Sequence, residues 1–565
     1  MKKLRWQLII IFLTGLVVGI LLLGEQPAVQ TLAPAPVQGG VYTEALIGAP
    51  QRFNPLLDYY NAVDRDVDAL VYSGLVKFDS RGVPHPELAE SWGISQDGMT
   101  YNFALRPGIT WHDGEPFTTD DVLFTIEMMR EGEGLVPTDI TVFWQEVEVK
   151  VFSDLSLQFV LPEPFAPFLD YLTFGVLPQH ILGDRSFAEM VDDDYNLSPV
   201  GTGPYRFDRV VVENGQISGV LLSVNTEYYR DPAYIEQIVL NFYPDARAAL
   251  EAYRQGVVQG VGLISLDILE EALAEPNLAM YAMRKPELTM VIFNLNNPEV
   301  EFLQEVDVRR ALLAGLNRQW MINTILRGQG IIADGPILPD TWAYYPKTER
   351  VAFDRDTAIK LLREAEYVVA GEENPVRTKE EVALRFELLY PDTEMHARLA
   401  EAIQTNWAEL DVDVSITPVP YEELVNVYLK DRRFQAVLID LNLTRTPDPD
   451  PYPFWDQAMA TGGQNYSQWD NRIASEYIEQ ARVVADLGER ERLYRNFQVI
   501  FGEELPALPL YYPIYNYGVA YDVQGVSVGP LYDNSDRFNT VTEWFLVAKR
   551  TLQDAPVVVE PTPEP

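Results

Sequence analysis

The chain of 565 residues is too long for one hydrophobic core, so several lobes are expected. Its 84 acidic against 43 basic residues give a formal charge of −41, which disfavours nucleic acid as a partner. The sequence contains no cysteine, which excludes disulfides, thiolate metal sites and a lipid-modified cysteine, and four scattered histidines argue against a histidine-built metal site. We therefore predict no metal and no cofactor.

The N-terminus has the pattern of an export signal. Basic residues within the first five positions precede an apolar run at 8–23, and the positive end is expected to stay in the cytoplasm. The small-x-small site at Ala33–Ala35 is followed by Pro36, which argues against cleavage there. We therefore interpret residues 1–25 as a signal peptide or an uncleaved signal anchor, followed by a Pro/Ala-rich linker at 26–38.

The first elements of the folded body follow from apolar spacing. Residues 41–47 read as a strand, and Val63, Val67 and Leu70 share one helical face. Alternation on both sides of Asp97–Gly98 predicts a hairpin over about 92–105, because this dipeptide favours positive φ.

A capped helix is predicted next. Thr118 with Asp121 three residues later has the pattern of a capping box, and Val122, Ile126 and Met129 then recur at helical spacing.

Later segments predict a second hairpin and a parallel α/β unit. Residues 147–152 and 155–161 alternate around a turn, whereas 384–390, 394–410 and 412–419 read as strand, helix and strand. Three further elements are predicted: a buried strand at 434–438 with a polar loop at 440–455, an amphipathic helix through Leu493 and Phe501, and a strand at 508–512.

The glycine-rich segment Pro199–Phe207 (PVGTGPYRF) could suggest a phosphate loop. It lacks both the Walker lysine and the dinucleotide-binding glycine spacing, so we interpret Gly201 and Gly203 as permitting a close backbone path.

Several of these motifs together resemble one protein family. The segment from Gly74 to Met129 contains LAESW, DG and WHDGEPFTTDDVLFTI, and it is followed by PVGTGPYRF and by VDVRRALLAGLNR at 306–318. This order of motifs resembles the family 5 extracellular solute-binding proteins, which are the peptide-, oligosaccharide- and nickel-capturing subunits of ABC importers.

The resemblance implies an α/β periplasmic-binding-protein fold of type II, in which two lobes close on a hinged cleft and a third lobe is appended. The implied boundaries are 39–78, 199–286 and 509–552 for lobe I, 79–198 for the extra lobe II and 287–508 for lobe III. The low-complexity composition of the C-terminal segment separately predicts a disordered tail at 553–565.

The resemblance also points to ligand-contacting residues in the loop DLNLTRTPDPDPYPFW. In peptide-binding members this loop carries an aspartate that pairs with the ligand's α-amino group. Here Thr444 falls at that position with Arg445 beside it, and Asp440 and Asn442 precede them. This departure keeps sugars and other polar solutes open beside peptides, and turn formation next to proline is the alternative reading of Asp448–Asp450.

Further candidates come from the same comparison with the family. Each has the alternative of a structural role in the core or at the surface. These candidates are His396, Tyr421, Tyr428, Trp144 and Tyr511.

The leading hypothesis is an exported binding protein, and not an enzyme, that captures a peptide or another small polar solute and delivers it to ABC permease and ATPase subunits. We expect a monomer outside the cytoplasm, with the N-terminal segment as its membrane contact. Two alternatives are a secreted glycoside hydrolase, which no local motif supports, and a membrane-tethered solute sensor.

Overall fold

The computed structural model describes residues 36–547, except residue 133 and residues 372–373. The predicted export segment at 8–23 and the predicted tail at 553–565 lie outside this range. Among the residues that are described, no helix combines the length and apolar character needed to cross a membrane. Residues 38–546 form one compact unit.

Twelve of the strands in the described part of the chain join one large sheet. The strands are β1 (Val41–Ile47), β2 (Val76–Phe78), β3 (Pro84–Pro86), β4 (Ala89–Ile94), β5 (Thr100–Leu105), β6 (Glu148–Ser153), β7 (Ser156–Val160), β8 (Tyr205–Glu213), β9 (Gln216–Val224), β10 (Gln237–Tyr243), β11 (Gly260–Val261), β12 (Leu278–Arg284), β13 (Glu287–Phe293), β14 (Gly330–Ile332), β15 (Val368–Gly371), β16 (Asn374–Lys379), β17 (Val382–Ala383), β18 (Arg385–Pro391), β19 (Asp413–Val419), β20 (Ala436–Asn442), β21 (Ala507–Ala520), β22 (Val523–Gln524) and β23 (Phe545–Leu546).

The helices flank the sheets. They are α1 (Ala62–Val71), α2 (Thr119–Glu131), α3 (Thr138–Glu146), α4 (Gln179–Leu182), α5 (Phe187–Val191), α6 (Ala246–Arg254), α7 (Leu269–Leu273), α8 (Val306–Ala314), α9 (Arg318–Thr324), α10 (Arg355–Glu364), α11 (Glu394–Ala408), α12 (Tyr421–Glu423), α13 (Tyr452–Trp455), α14 (Arg472–Val483) and α15 (Leu487–Glu504).

The large sheet is mixed and runs in the order β19-β18-β20-β13-β21-β11-β1-β10-β9-β8, with β12 and β14 also paired to β21. A separate four-stranded antiparallel sheet has the order β4-β5-β7-β6. The long strand β21 pairs with β13 through its first residues and with β12 through its last seven. One continuous strand therefore belongs to both halves of the large sheet.

A second crossing lies beside β21. Strands β12 and β13 are consecutive in the chain and are joined only by Lys285 and Pro286. The backbone N–H of Lys285 donates a hydrogen bond of 2.9 Å to the carbonyl oxygen of Pro513 in β21. The two chain segments that connect the halves of the sheet therefore contact each other where they cross.

Two layers of core cover the second half of the sheet. Val291 and Phe293 of β13 pack into one hydrophobic cluster, whereas Met290 and Ile292 pack into another. Since successive strand residues point to opposite faces, β13 is buried on both faces. A further cluster, which includes Val67, Trp111 and Leu240, extends through the first half of the chain.

The structure confirms the hairpin and the capped helix predicted between residues 92 and 131. Strands β4 and β5 pair antiparallel, and Gly98 in their turn has φ +70°. At the start of α2, Thr118 and Asp121 form the reciprocal capping box. The second predicted hairpin is also present as β6 and β7.

The predicted strand–helix–strand unit is also confirmed. Strands β18 and β19 pair in parallel through seven consecutive residues, with α11 between them in the chain. An α/β architecture with parallel pairs in this half of the sheet follows.

Two strand predictions were wrong in their bounds. Strand β20 covers Ala436–Asn442 and not 434–438, so Asp440 and Asn442 belong to the strand and the loop begins at Leu443. Strand β21 extends to Ala520, well beyond the predicted 508–512. Periodicity misplaced both ends because these strands are buried and continue into polar or proline-containing residues without a break in pairing.

Gly201 and Gly203 permit a close backbone contact, as predicted. A Cβ on Gly201 would lie 1.9 Å from the carbonyl oxygen of Val71, and one on Gly203 would lie 2.6 Å from that of Leu70. The segment therefore passes directly over the end of α1, and no side chain fits between them.

Replacing Gly201 with alanine should lower the thermal midpoint, because the added methyl group collides with backbone and not with a movable side chain. The expected loss in the free energy of unfolding is about 1–3 kcal/mol or more. Gly93→Ala is the matched control, since a Cβ there has no atom within 4 Å. Calorimetric scans of the two variants should differ clearly, and equal midpoints would contradict the close contact.

Candidate ligand-binding cavity

The loop after β20 closes a cavity of about 490 Å³, which we call the first cavity. Residues 441–451 form one wall, and the opposite wall comes from the segment at Phe165–Phe174 and from Tyr59. Its size lies within the range typical of small-molecule sites. Aromatic residues are prominent in its walls. They include Tyr59, Phe165, Tyr171, Phe174, Phe454 and Tyr532.

Charges of both signs also line the first cavity. The acids include Asp139, Asp170 and Asp450, and the cations include Arg445 and Arg482. A cavity with this composition can receive a small molecule that carries an ammonium and a carboxylate group and also has apolar surface.

Arg445 ties the loop to the first half of the chain. Its Nη1 donates a 2.7 Å hydrogen bond to Oδ1 of Asp58, and its guanidinium carbon lies 5.0 Å from the centre of the Tyr59 ring. Its backbone N–H donates to the carbonyl oxygen of Tyr532 at 2.7 Å. Burial lowers the pKa of Arg445, but the attraction of Asp58 outweighs this effect and raises the pKa above its usual value. These contacts join the loop after β20 to the segment that precedes α1 and to Tyr532.

Asp448 fixes the middle of the same loop. Its carboxylate accepts two hydrogen bonds from the guanidinium of Arg490, at 2.6 and 2.8 Å, and both side chains are buried. Its backbone N–H donates to Oδ2 of Asp170 at 2.9 Å. Asp448 thus makes a buried bidentate ion pair, beyond the turn formation suggested by its proline neighbours.

Asp450 makes the local turn hydrogen bond that its proline neighbours suggest. Its Oδ1 accepts from the backbone N–H of Tyr452 at 3.2 Å, and its Oδ2 lies 2.9 Å from Nε of Arg482. The guanidinium of Arg482 stacks over the Tyr452 ring at 4.1 Å from its centre. Burial raises the pKa of Asp450, while Arg482 opposes that rise.

Four of the nine predicted site residues line the first cavity. Asn442, Thr444, Arg445 and Trp144 are among the residues that line it. Trp144 is fully buried and packs edge-on against Phe168 and Phe174, so it supports the wall more than it presents a surface.

The other predicted site residues lie away from this cavity. Asp440 accepts a hydrogen bond from Thr289 and lies 3.2 Å from Nε2 of His396. Burial raises the pKa of Asp440, but His396 outweighs it and brings the pKa below its ordinary value. Tyr511, which is buried, pairs with Thr289 across the sheet. Tyr421 is exposed and Tyr428 is partly buried against a core cluster.

Sequence reasoning missed Asp58, Asp170 and Arg482. Asp58 and Arg445 are 387 positions apart, and no local pattern marks Asp58 or links it to Arg445. The local signal near this group was the loop DLNLTRTPDPDPYPFW, which contains the Tyr452 that stacks on Arg482.

Comparison with known proteins agrees with this architecture. The family model for bacterial extracellular solute-binding proteins, family 5 Middle, matches residues 83–464. The dipeptide-binding protein of Escherichia coli (strain K12) is 27% identical over 551 residues, covering 91% of this chain and 96% of the relative. The oligopeptide-binding protein AppA of Bacillus subtilis (strain 168) is 24% identical over 524 residues, covering 91% of this chain and 93% of the relative.

Solved structures show the same fold. HbpA2 from Haemophilus parasuis superposes with a TM-score of 0.78 at 21% identity, covering 90% of this chain and 100% of the other. AppA from Bacillus subtilis, in complex with a nonapeptide, gives a TM-score of 0.65 at 23% identity, covering 91% and 100%.

The chain therefore belongs to family 5 of the bacterial extracellular solute-binding proteins, with the type II periplasmic-binding fold predicted from its motifs. It is an exported solute-binding subunit of an ABC importer, acting in the periplasm or outside the cell, and it is not an enzyme. The hydrolase alternative is not supported.

The Asp448–Arg490 pair gives a stability prediction. Asp448→Asn should lower the free energy of unfolding by about 3–5 kcal/mol, because it leaves the Arg490 guanidinium buried without its partner. The measurement is the denaturant midpoint with an unchanged slope.

Two variants test the reason for that loss. Arg472→Gln, which removes exposed ion pairs with Glu476 and Glu479, should change the midpoint little. Asp448→Asn combined with Arg490→Met should recover part of the loss, because no buried charge remains unpaired. A double variant no more stable than Asp448→Asn would contradict this explanation.

Proposed function

We propose that this protein captures short peptides in the first cavity and releases them unchanged to its permease. Relatives named as dipeptide-binding and di/tripeptide-binding proteins support a peptide over a sugar. The cavity supports the same choice, because its walls combine aromatic surface with carboxylates and guanidinium groups.

The observation that carries this proposal is that one carboxylate oxygen of Asp170 is buried without a hydrogen-bond partner among the described residues. Its Oδ2 accepts from the Asp448 backbone, whereas its buried Oδ1 has no hydrogen-bond partner among the described residues. Burial, followed by the neighbouring charge of Asp448, raises the pKa of Asp170 well above its usual range. A carboxylate in this situation favours a cation, and the α-amino group of a peptide supplies one.

Closure of the lobes would bring the two sides of the cavity together around the peptide. Lobe I would comprise residues 39–78, 199–286 and 509–552, lobe II 79–198 and lobe III 287–508, with hinges where the chain crosses between lobes I and III. The contact between Arg445 and Asp58 would then stabilise the closed state. Attachment to the membrane through the segment at 8–23 is a further part of this proposal.

Titration calorimetry tests the choice of ligand. Di- and tripeptides should bind one to one and be recovered intact, while N-acetylated peptides should bind at least tenfold more weakly, because the charge that Asp170 would receive is removed. Maltotriose serves as the sugar control. Tight binding of maltotriose, or recovery of cleaved peptide, would overturn the proposal.

The role of Asp170 has a separate test. Asp170→Asn should weaken dipeptide binding and abolish the difference between free and acetylated peptides, since the amide carries no charge. Glu163→Gln, at an exposed position in the same region, is the matched control and should leave both unchanged. Retention of the difference in Asp170→Asn would remove Asp170 from the site.

The contact across the cleft can be tested by X-ray scattering. Arg445→Gln should increase the radius of gyration of the ligand-free protein, because the charge attraction to Asp58 is lost and the open state gains population. Arg355→Gln, which affects an exposed pair with Glu409, is the control and should leave the profile unchanged. Identical profiles for all three proteins would contradict a role for Arg445 in closure.

A further inference from the structure

A second cavity adjoins the first. Its volume is about 790 Å³, and its walls come from α1, from the segment around Glu87 and from the turn at 532–543. Several residues line both cavities and so mark the boundary between them. These shared residues are Arg65, Thr173, Arg445, Pro447 and Tyr532.

Asp68, on α1, is the unusual residue in the wall of the second cavity. It is only 4% exposed, yet neither of its carboxylate oxygens has a hydrogen-bond partner in the part of the chain that the structure describes. Burying a carboxylate without a partner is costly, and buried acids in proteins are normally paired.

The basic residues around the second cavity are engaged elsewhere. Lys77 and Arg230 both pair with Glu87, at 3.2 and 2.7 Å. Arg65 lies 2.9 Å from Asp533, and Arg445 is bound to Asp58. Each cation among the described lining residues therefore pairs with an acid other than Asp68, which is left without a cationic partner among them.

Neighbouring acids make a negative charge on Asp68 still more unfavourable. Burial raises its pKa well above the usual range, Asp58 and Asp64 raise it further, and Arg445 and the nearby backbone N–H of Asn54 act in the opposite direction. A positive group placed beside Asp68 would therefore relieve both the desolvation of the carboxylate and its repulsion from the neighbouring acids.

We propose that the second cavity is a subsite for an ammonium group on a side chain of the bound peptide, with Asp68 as its anionic partner. This inference rests on the proposed capture of peptides, and it adds a preference for a lysine-like residue. A divalent metal ion would need several oxygen ligands, and the described residues contain no group of three acidic or histidine side chains arranged to hold one.

Arg445 lies at the passage to this subsite. Arg445 lines both cavities and its guanidinium is held by Asp58, so a cationic side chain reaching from the first cavity into the second would pass near this residue. The loop that closes the first cavity thus also limits entry to the second. A long, flexible, unbranched side chain satisfies this geometry better than a short one.

A pair of matched peptides tests the inference. Tripeptides with lysine at one position are compared with the same peptides carrying norleucine, which has a similar apolar stem but no charge. At one position at least, the lysine peptide should bind about tenfold or more tightly than the norleucine peptide.

The variant Asp68→Asn should abolish that preference while binding of the norleucine peptide is kept. Asp356→Asn, in the exposed first turn of α10, is the control and should retain the preference.

Titration with 1,5-diaminopentane provides a measurement that does not depend on peptide capture. It should bind saturably to the unmodified chain, and Asp68→Asn should remove the response. Equal binding of lysine and norleucine peptides at all positions, or a preference that survives Asp68→Asn, overturns the inference and leaves peptide capture intact. A diamine response without peptide binding overturns peptide capture alone, and no saturable response to either probe overturns both.

Discussion

The structure depends on a strand that is shared by two halves of one sheet. β21 pairs with β13 and β14 through its first part and with β12 and β11 through its last part, so neither half is complete without it. The loop after β20, which lines the first cavity, continues from a strand of the second half. A motion of one half against the other would therefore bend β21 and the neighbouring link between β12 and β13.

The acids that line the two cavities say more about the ligand than the net charge of the chain does. The chain is strongly acidic overall, which keeps it soluble and gives no information on its ligand by itself. Carboxylate oxygens that are buried without a hydrogen-bond partner in the described part of the chain are more informative, because burial makes their charge costly. Asp170 and Asp68 meet this condition, whereas Asp448 does not, since Arg490 satisfies it.

Much of the local structure was predictable from the sequence because it obeys local rules. The Asp97–Gly98 turn, the Thr118–Asp121 capping box and the β18–α11–β19 unit each follow from spacing within about 35 residues. The motifs also sufficed to predict the family and its fold. The predicted ends of β20 and β21 were wrong, because each of these buried strands continues through residues that the apolar periodicity assigns to a loop.

The site was predictable only in part, for a physical reason. The loop after β20 could be found because it resembles a family element, and it does line the first cavity. Its partners could not, since Asp58 and Asp170 meet Arg445 and Asp448 only through the tertiary fold, across 387 and 278 positions. His396 and Asp440 were both predicted from the family resemblance, but they contact each other and neither is among the residues that line the first cavity.

Prolines occur at both places where the chain passes between the halves of the large sheet. Pro286 follows β12 directly, and Pro513 sits in β21, hydrogen-bonded through its carbonyl oxygen to Lys285. Each proline ring fixes φ of its own residue, so φ of Pro286 and of Pro513 cannot absorb a rotation between the halves. Under the proposed closure the rotation would fall on the remaining torsions at each crossing, which favours a return of the walls to the same alignment.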